Sequence, residues 1–239
     1  MAPPVPARPL LLAIVVVAAL AAGGGVIALA LASDHKDAQV AWAIFGPAIG
    51  WSFVGTGLYA SRLRPQSRIG ALMVLLGFAW FLFTLDAANS PPVYTFALVA
   101  GGLWGGVFLH LGMTFPSGRL RSRLERAIVI AGYLIFPLAN LPPLFFAGPH
   151  ELGCDECPTN VLLIRRDGDA ADVASAVGAA LYAGLFVIVL AWAIRRWRRT
   201  SRPCTRSPSC SAACGAACSS TSGSRSPAAA SRTAPTARS

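Results

Sequence analysis

Cys154 and Cys157 stand three positions apart, with Asp155 and Glu156 between them. A pair at this spacing can close a disulfide, hold a metal or exchange electrons. A thioredoxin-like redox centre needs a strand–helix–strand setting that so short a loop cannot hold. Zinc needs further ligands, and the neighbourhood offers only His150 and carboxylates. Outside a reducing compartment, nearby thiols oxidise. A disulfide or a pair of structural thiols is therefore the first reading, a ligand- or redox-sensing pair the second, and a metal site the third. His110 is the other residue with chemical potential, because it lies inside an apolar stretch, where an ionisable side chain is costly and marks function by default. It lacks an acidic partner at its depth: Asp86 falls at the far end of the preceding stretch, so no relay or dyad can form. A neutral imidazole hydrogen-bonded to a neighbouring helix is the expectation. Ser117 has no GxSxG around it, Ser52 and Ser175 lack a Gly-x-Ser-Gly setting, and no phosphate loop or HExxH occurs. The residue types thus point to a protein that is not an enzyme and has no cofactor or metal.

The elements that must position these residues are set by composition. Of 239 residues 55% are apolar and only 13% charged, with a mean hydropathy of +0.59, which leaves too little polar surface for a water-soluble globule of this size. Crossing a hydrocarbon core of roughly 30 Å takes about 20 apolar residues. Six stretches qualify, at about 10–32, 40–60, 70–85, 93–115, 127–147 and 173–194, the third being the shortest. The fold class expected is all-α: a polytopic transmembrane bundle over 1–194 with the lipid bilayer as partner, followed by a basic, low-complexity, disordered tail over 195–239. The first stretch also has the small residues Ala30 and Ala32 of a signal-peptide cleavage site, but its apolar run is too long for one and only Arg8 precedes it. The formal charge of +10 does not indicate nucleic acid, because the basic residues are clustered between apolar stretches.

Those clusters set the expected orientation. Arg62, Arg64 and Arg68 fall in one connection, Arg119, Arg121, Arg123 and Arg126 in another, and Arg195, Arg196, Arg198 and Arg199 follow the last stretch. The other connections hold only Lys36, Arg165 and Arg166 among many carboxylates. By the positive-inside rule both termini are cytoplasmic, and the expected location is the plasma membrane. Gly46 and Gly50, and above all Gly101, Gly102, Gly105 and Gly106, give the small-residue spacing that lets helices approach closely. It serves packing within the bundle or, alternatively, a homodimer face. Pro47 and the group Pro137, Pro142 and Pro143 should kink or unwind the second and fifth helices. Trp51 and Trp104 fall mid-span and must pack or face lipid.

Two runs carry a resemblance: His110-Leu-Gly-Met-Thr-Phe-Pro-Ser-Gly-Arg-Leu-Arg-Ser-Arg-Leu-Glu-Arg126, and Cys154-x-x-Cys157-Pro-Thr-Asn-Val-Leu-Leu-Ile164. With the basic Arg195-Arg-Trp-Arg-Arg199 they resemble the membrane-spanning sensor region at the amino end of actinobacterial two-component histidine kinases, over most of residues 65–199. The resemblance implies a membrane module that perceives a cue and passes a conformational change to a cytoplasmic kinase as its output partner. The chain departs from that family in having His35, His110 and His150 as its only histidines, so it offers no cytoplasmic phosphoacceptor, and no ATP-binding domain follows. A rival reading is a small transporter or channel, motivated by the broken fifth helix and the glycine-rich fourth, and weakened by the shortage of buried charge. A membrane enzyme acting on lipid through His110 is a third.

From Arg195 to Ser239 only Ala, Arg, Gly, Pro, Ser, Thr, Cys and Trp occur, the residues whose codons carry G or C at the second base. A GC-rich gene read one base out of frame yields such a tail, so a frameshift near Arg199 is expected, in preference to a low-complexity tail as such. Cys204, Cys210, Cys214 and Cys218 then carry no designed chemistry. Two measurements check these expectations. A reporter fused after Ser67 should read cytoplasmic and one after Gly148 extracytoplasmic, the reverse pattern overturning the orientation. The coding DNA beyond the codon for Arg199 should, in another frame, continue into apolar helices or kinase motifs.

Overall fold

A segment in lipid has no water to satisfy its backbone polar groups, so it must bond them internally. The computed structural model describes residues 7–115, 118–148, 151, 154 and 156–200. In order these form α1 (Ala7–Leu31), α2 (Gln39–Leu63), α3 (Ile69–Phe83), a 3-10 turn (Thr84–Ala87), α4 (Pro91–Ala100), α5 (Leu103–Thr114), α6 (Arg123–Leu138), the short α7 (Leu141–Leu144) and α8 (Gly168–Thr200). No strand occurs among them. Among the described residues six spans are long and apolar enough to cross a membrane: Pro9–Leu31, Gln39–Leu63, Ile69–Ala87, Pro91–Thr114, Arg123–Leu144 and Gly168–Arg198. The chain is an all-α, multi-pass membrane protein. The last helix begins at Gly168, ahead of the start expected at 173, because Asp167 caps it: the Asp167 Oδ1 accepts from Ala170 N at 3.2 Å.

Internal contacts divide the chain into residues 1–191 and 192–239. In the second unit the described part is the end of α8, where the Arg196 guanidinium lies 5.1 Å from the centre of the Trp192 ring. The side chain of Arg199, the tail from 201 to 239 and with it Cys204, Cys210, Cys214 and Cys218 lie outside the described residues.

The closest packing joins α2 and α3, and glycine makes it. A Cβ on Gly77 would lie 2.7 Å from the Gly50 carbonyl oxygen, and one on Gly57 would lie 2.7 Å from that of Gly70. On each helix the two glycines stand seven residues apart, about two turns, and the helices run antiparallel, so Gly50 faces Gly77 and Gly57 faces Gly70. Backbones touch at both levels. Gly46, singled out with Gly50 from the sequence, meets α1 instead, where Val26 Cγ1 would be 3.1 Å from its Cβ. The mid-span indoles are packed and hydrogen-bonded: Trp51 Nε1 donates to the Ala19 carbonyl at 2.8 Å and Trp80 Nε1 to that of Gly46 at 2.9 Å. Trp104 sits edge-on to Trp80 at 5.8 Å.

Two expectations about helix breaks need correction. α2 does not unwind at Pro47, which lies buried inside a continuous helix. One proline removes a single ladder bond, and the packed neighbours hold the rest. The fifth span does break within its proline group: α6 runs through Pro137 to Leu138, and Pro142 and Pro143 occupy the first turn of α7, where a missing N–H costs nothing. The fourth span, expected to be one helix over 93–115, is interrupted at Gly101 and Gly102. There the bonds shorten to the three-residue pattern, with Gly102 N donating to Val99 O at 3.3 Å and Gly105 N to Gly102 O at 3.1 Å.

At one end of the bundle the two arginine-rich connections touch. Gly118 has φ +70°, its N–H closes α5 by donating to Thr114 O at 2.8 Å, and a Cβ there would lie 2.7 Å from Ser67 Oγ and 3.0 Å from Arg68 N. Arg62, Arg64 and Arg68 are thereby gathered with Arg119, Arg121, Arg123 and Arg126. α6 starts beside them in a capping box, Glu125 N donating to Ser122 Oγ at 3.0 Å and Ser122 N to Glu125 Oε2 at 3.2 Å.

The α2–α3 contact predicts a contrast between glycines. Gly77→Ala and Gly57→Ala, forced against backbone, should each lower unfolding free energy by about 1–3 kcal/mol. Gly55→Ala, with nothing within 4 Å of its Cβ, should be neutral or stabilising by up to about 1 kcal/mol through helix propensity. Thermal unfolding in detergent measures both.

Candidate functional site

At the end opposite the arginine-rich loops, a polar clamp ties the α1–α2 connection to the turn after α3. Lys36 Nζ bonds Asp86 Oδ2 at 2.9 Å and lies 5.1 Å from the Trp42 ring centre. His35 Nε2 lies 2.9 Å from the Asp86 carbonyl, an acceptor only, so this nitrogen carries the proton. Asn89 Nδ2 donates to both Asp34 Oδ2 and the Ala32 carbonyl at 2.7 Å. The connection between α7 and α8 folds over the same end: Val161 N donates to Thr95 Oγ1 at 3.0 Å, the buried Asn160 side chain donates to the Leu144 carbonyl, and Ile164 N to that of Phe145 at 3.0 Å. Cys154 and Cys157 are joined as a disulfide within it. At its exit the Asp167 carboxyl is held below its ordinary value, first by the Arg165 side-chain hydrogen bond and then by Ala170 N. The cap is therefore complete above the usual carboxylate range and is lost as pH falls through the lowered value.

Below the clamp lies a cavity of about 490 Å³. Its floor is made by the two helix breaks, Gly101–Gly102 and the end of α6, and its sides by Phe83, Asp86, Trp104, Asn140, Ser175 and Tyr182. A helix that stops in the membrane leaves its last carbonyls without partners, and in hydrocarbon each costs several kcal/mol, roughly, if left so. Ala139 N takes the Ile135 carbonyl at 2.9 Å. The Phe136 carbonyl is taken from outside the helix, by the Tyr182 hydroxyl of α8 at 3.0 Å. The same hydroxyl lies 2.9 Å from Asn140 Oδ1, although its one proton serves one acceptor at a time. Asn140 Nδ2 reaches the Leu98 carbonyl of α4 at 3.4 Å, and the Phe136 and Tyr182 rings stack at 5.5 Å. α4, α6 and α8 thus meet in one polar knot.

The four glycines of the fourth span turn toward this region. A Cβ on Gly102 would fall on the Phe136 carbonyl, one on Gly105 would lie 2.7 Å from the Phe136 ring, one on Gly106 3.0 Å from Tyr133, and one on Gly101 3.2 Å from Phe83. They pack the bundle, and a homodimer would need another face. His110 is elsewhere: its Nδ1 lies 3.2 Å from Tyr133 Oη, with the rings edge-on at 5.9 Å. It links α5 to α6, as a hydrogen-bonded intramembrane histidine should. Neither it nor the disulfide lines the cavity, and no metal-holding group of three or more His, Cys, Asp or Glu occurs among the described residues.

Sequence reasoning had set Asp86 aside as isolated and Ser175 as a failed nucleophile, and passed over Asn140 and Tyr182. A signal was present for Asn140, a lone amide inside an apolar run directly before Leu141-Pro142-Pro143. No family model, no curated protein and no solved structure matches the chain.

Removing the hydroxyl in Tyr182→Phe leaves the Phe136 carbonyl uncapped. The unfolding free energy should fall by about 0.6–1.7 kcal/mol, the range for interhelical hydrogen bonds in membranes, as measured by steric trapping or detergent unfolding.

Proposed function

We propose that this chain is a membrane signal-input module in which occupancy of the cavity sets the position of α8, in the manner of the membrane region of a two-component sensor histidine kinase. The observation that carries the reading is the Tyr182 knot. α8 is otherwise lightly held: Val173 is 65% and Phe186 67% exposed to the surroundings, and its inward contacts rest on Ala171, Gly178, Tyr182 and Leu185. A group entering the cavity would compete for the same acceptors that hold α8 to α6 and would so bias its placement. The helix runs on to the arginines at 195–199, the segment through which a cytoplasmic output partner would be addressed. In this reading the touching arginine-rich loops face the cytoplasm, both termini lie there, and the clamp and disulfide loop face outward across the plasma membrane, following the charge asymmetry.

A carrier or channel is the rival, favoured by one observation: two broken helices lining a cavity at membrane depth is also how transporters build substrate sites. Saturable solute flux through proteoliposomes would replace the sensor reading with that one.

The geometry supplies a lock. A Cβ on Gly178 would lie 3.6 Å from that of Ala139, within the usual disulfide range of about 3.5–4.5 Å. With the tail cysteines changed to Ser, oxidised Ala139→Cys/Gly178→Cys should slow amide exchange over residues 173–185 at least tenfold relative to the reduced form. If those amides in the unlinked protein already exchange as slowly as those of α2 and α3, α8 is not separately movable and the input reading fails.

A further inference from the structure

We infer that the cavity binds an organic ammonium cation, with the Asp86 carboxylate as counter-charge and the faces of Phe83 and Trp104 as walls. The inference rests on the reading of the cavity as the input site and names the class of ligand it takes. Its ground is an imbalance of hydrogen-bonding groups. Asp86 Oδ2 is held by Lys36, but Oδ1 accepts no hydrogen bond among the described residues. The single Tyr182 proton cannot satisfy the Phe136 carbonyl and Asn140 Oδ1 together. Asn140 Nδ2 is already directed to the Leu98 carbonyl. The cavity therefore offers mainly acceptors, with the Ser175 hydroxyl and the Trp104 indole N–H as the uncommitted donors, and no lysine or arginine among the described residues lines it.

The apolar part of the wall has the matching sign. The Phe83 and Trp104 rings, both in the cavity wall, stand 6.3 Å apart at 58°, and an aromatic face attracts a cation through its quadrupole. The C-terminal end of α6 adds its negative dipole end, whereas that of α4 is largely offset by α5 starting at Leu103. An anion would meet the Asp86 carboxylate, which Lys36 engages on Oδ2 alone, and only those two neutral donors. A neutral apolar molecule would leave the unengaged oxygen of Asp86 stripped of water without compensation. An ammonium group on an apolar body satisfies the acceptors, the second Asp86 oxygen and the rings together, and a volume of about 490 Å³ accommodates such a molecule. The Asp86 side chain keeps 20% of its surface exposed, which leaves a route in from the clamp end. The ammonium could be that of a free amine or that of a phosphatidylethanolamine headgroup; the chemistry is shared.

Calorimetric titration of the full chain in phosphatidylglycerol nanodiscs tests this, with 2-phenylethylammonium as probe and 2-phenylethanol as its uncharged counterpart. The ammonium should bind saturably and the alcohol should not. Asp86→Asn should weaken binding at least tenfold, and Lys36→Gln, which releases Oδ2, should tighten it severalfold. Equal binding of the alcohol, or no saturable binding of the ammonium, overturns the inference. If Asp86→Asn does not fold, Lys36→Gln decides, and unchanged affinity there overturns it. Repeating the titration in phosphatidylethanolamine nanodiscs separates the sources: an affinity weakened at least tenfold identifies the headgroup as a competing ligand, and an unchanged one identifies a free amine. Amide exchange of residues 173–185 in the same samples keeps the two readings apart. Binding without a change in α8 removes the input role but not the ligand class. Absence of binding removes the ligand class but leaves the movable helix standing.

Discussion

Lipid gives helices no reason to hide apolar side chains, since the tails are as apolar as leucine. What remains to hold a bundle together is close backbone contact and the hydrogen bonds that such contact permits. The crossed pairs Gly50–Gly77 and Gly57–Gly70 supply that contact between α2 and α3 at two successive levels, and the rest of the fold is placed against the pair. α1 lies on α2 through Gly23 and the Trp51 indole, and Trp80 of α3 reaches back to the Gly46 carbonyl. Trp104 of the fourth span then packs against Trp80 and Phe83. Substituting one methyl group for a hydrogen in the α2–α3 seam would push these two helices apart.

The second half of the bundle is built differently. Its helices stop inside the membrane, so they expose carbonyls that must find partners or lose several kcal/mol each, roughly. Gly102 lets the fourth span approach the Phe136 carbonyl directly, and Tyr182 arrives from α8 to bond that same oxygen. The interruption of α6 and the attachment of α8 are therefore one event described from two sides. This arrangement makes the last helix dependent on a small polar centre rather than on an extended apolar seam, and a small polar centre is something a ligand can contest.

The two ends of the molecule have unlike construction. One is a pair of arginine-bearing loops joined at Gly118 and Ser67, where Glu125, the carboxylate between them, is occupied with capping α6. The other is a network of short-range pairs centred on Asp86, at the end where the disulfide-bearing loop is bonded to Thr95 and Phe145. Asp86 connects the clamp to the cavity, with Lys36 on one oxygen and the cavity beside it.

How much of this was legible in advance depends on the range of the interaction involved. By itself the sequence determined the all-α class, the six spans and the segregation of arginine, because hydropathy and charge act on each segment separately through its contact with lipid or water. It also pointed to His110 as hydrogen-bonded to a neighbouring helix, where it meets Tyr133. It did not determine which glycines would meet, for Gly57, Gly70 and Gly77 look no different from Gly55 or Gly24 until two helices are set in register. Nor did it place every break: the group Pro137, Pro142 and Pro143 marked the end of α6, yet helix packing carried α2 through Pro47, and the fourth span broke at a glycine pair that looked like a packing motif. The convergence of Asp86, Asn140 and Tyr182 from three separate spans was decided only by tertiary structure, because a polar residue in lipid takes its meaning from the carbonyl or charge that another helix brings within about 3 Å of it.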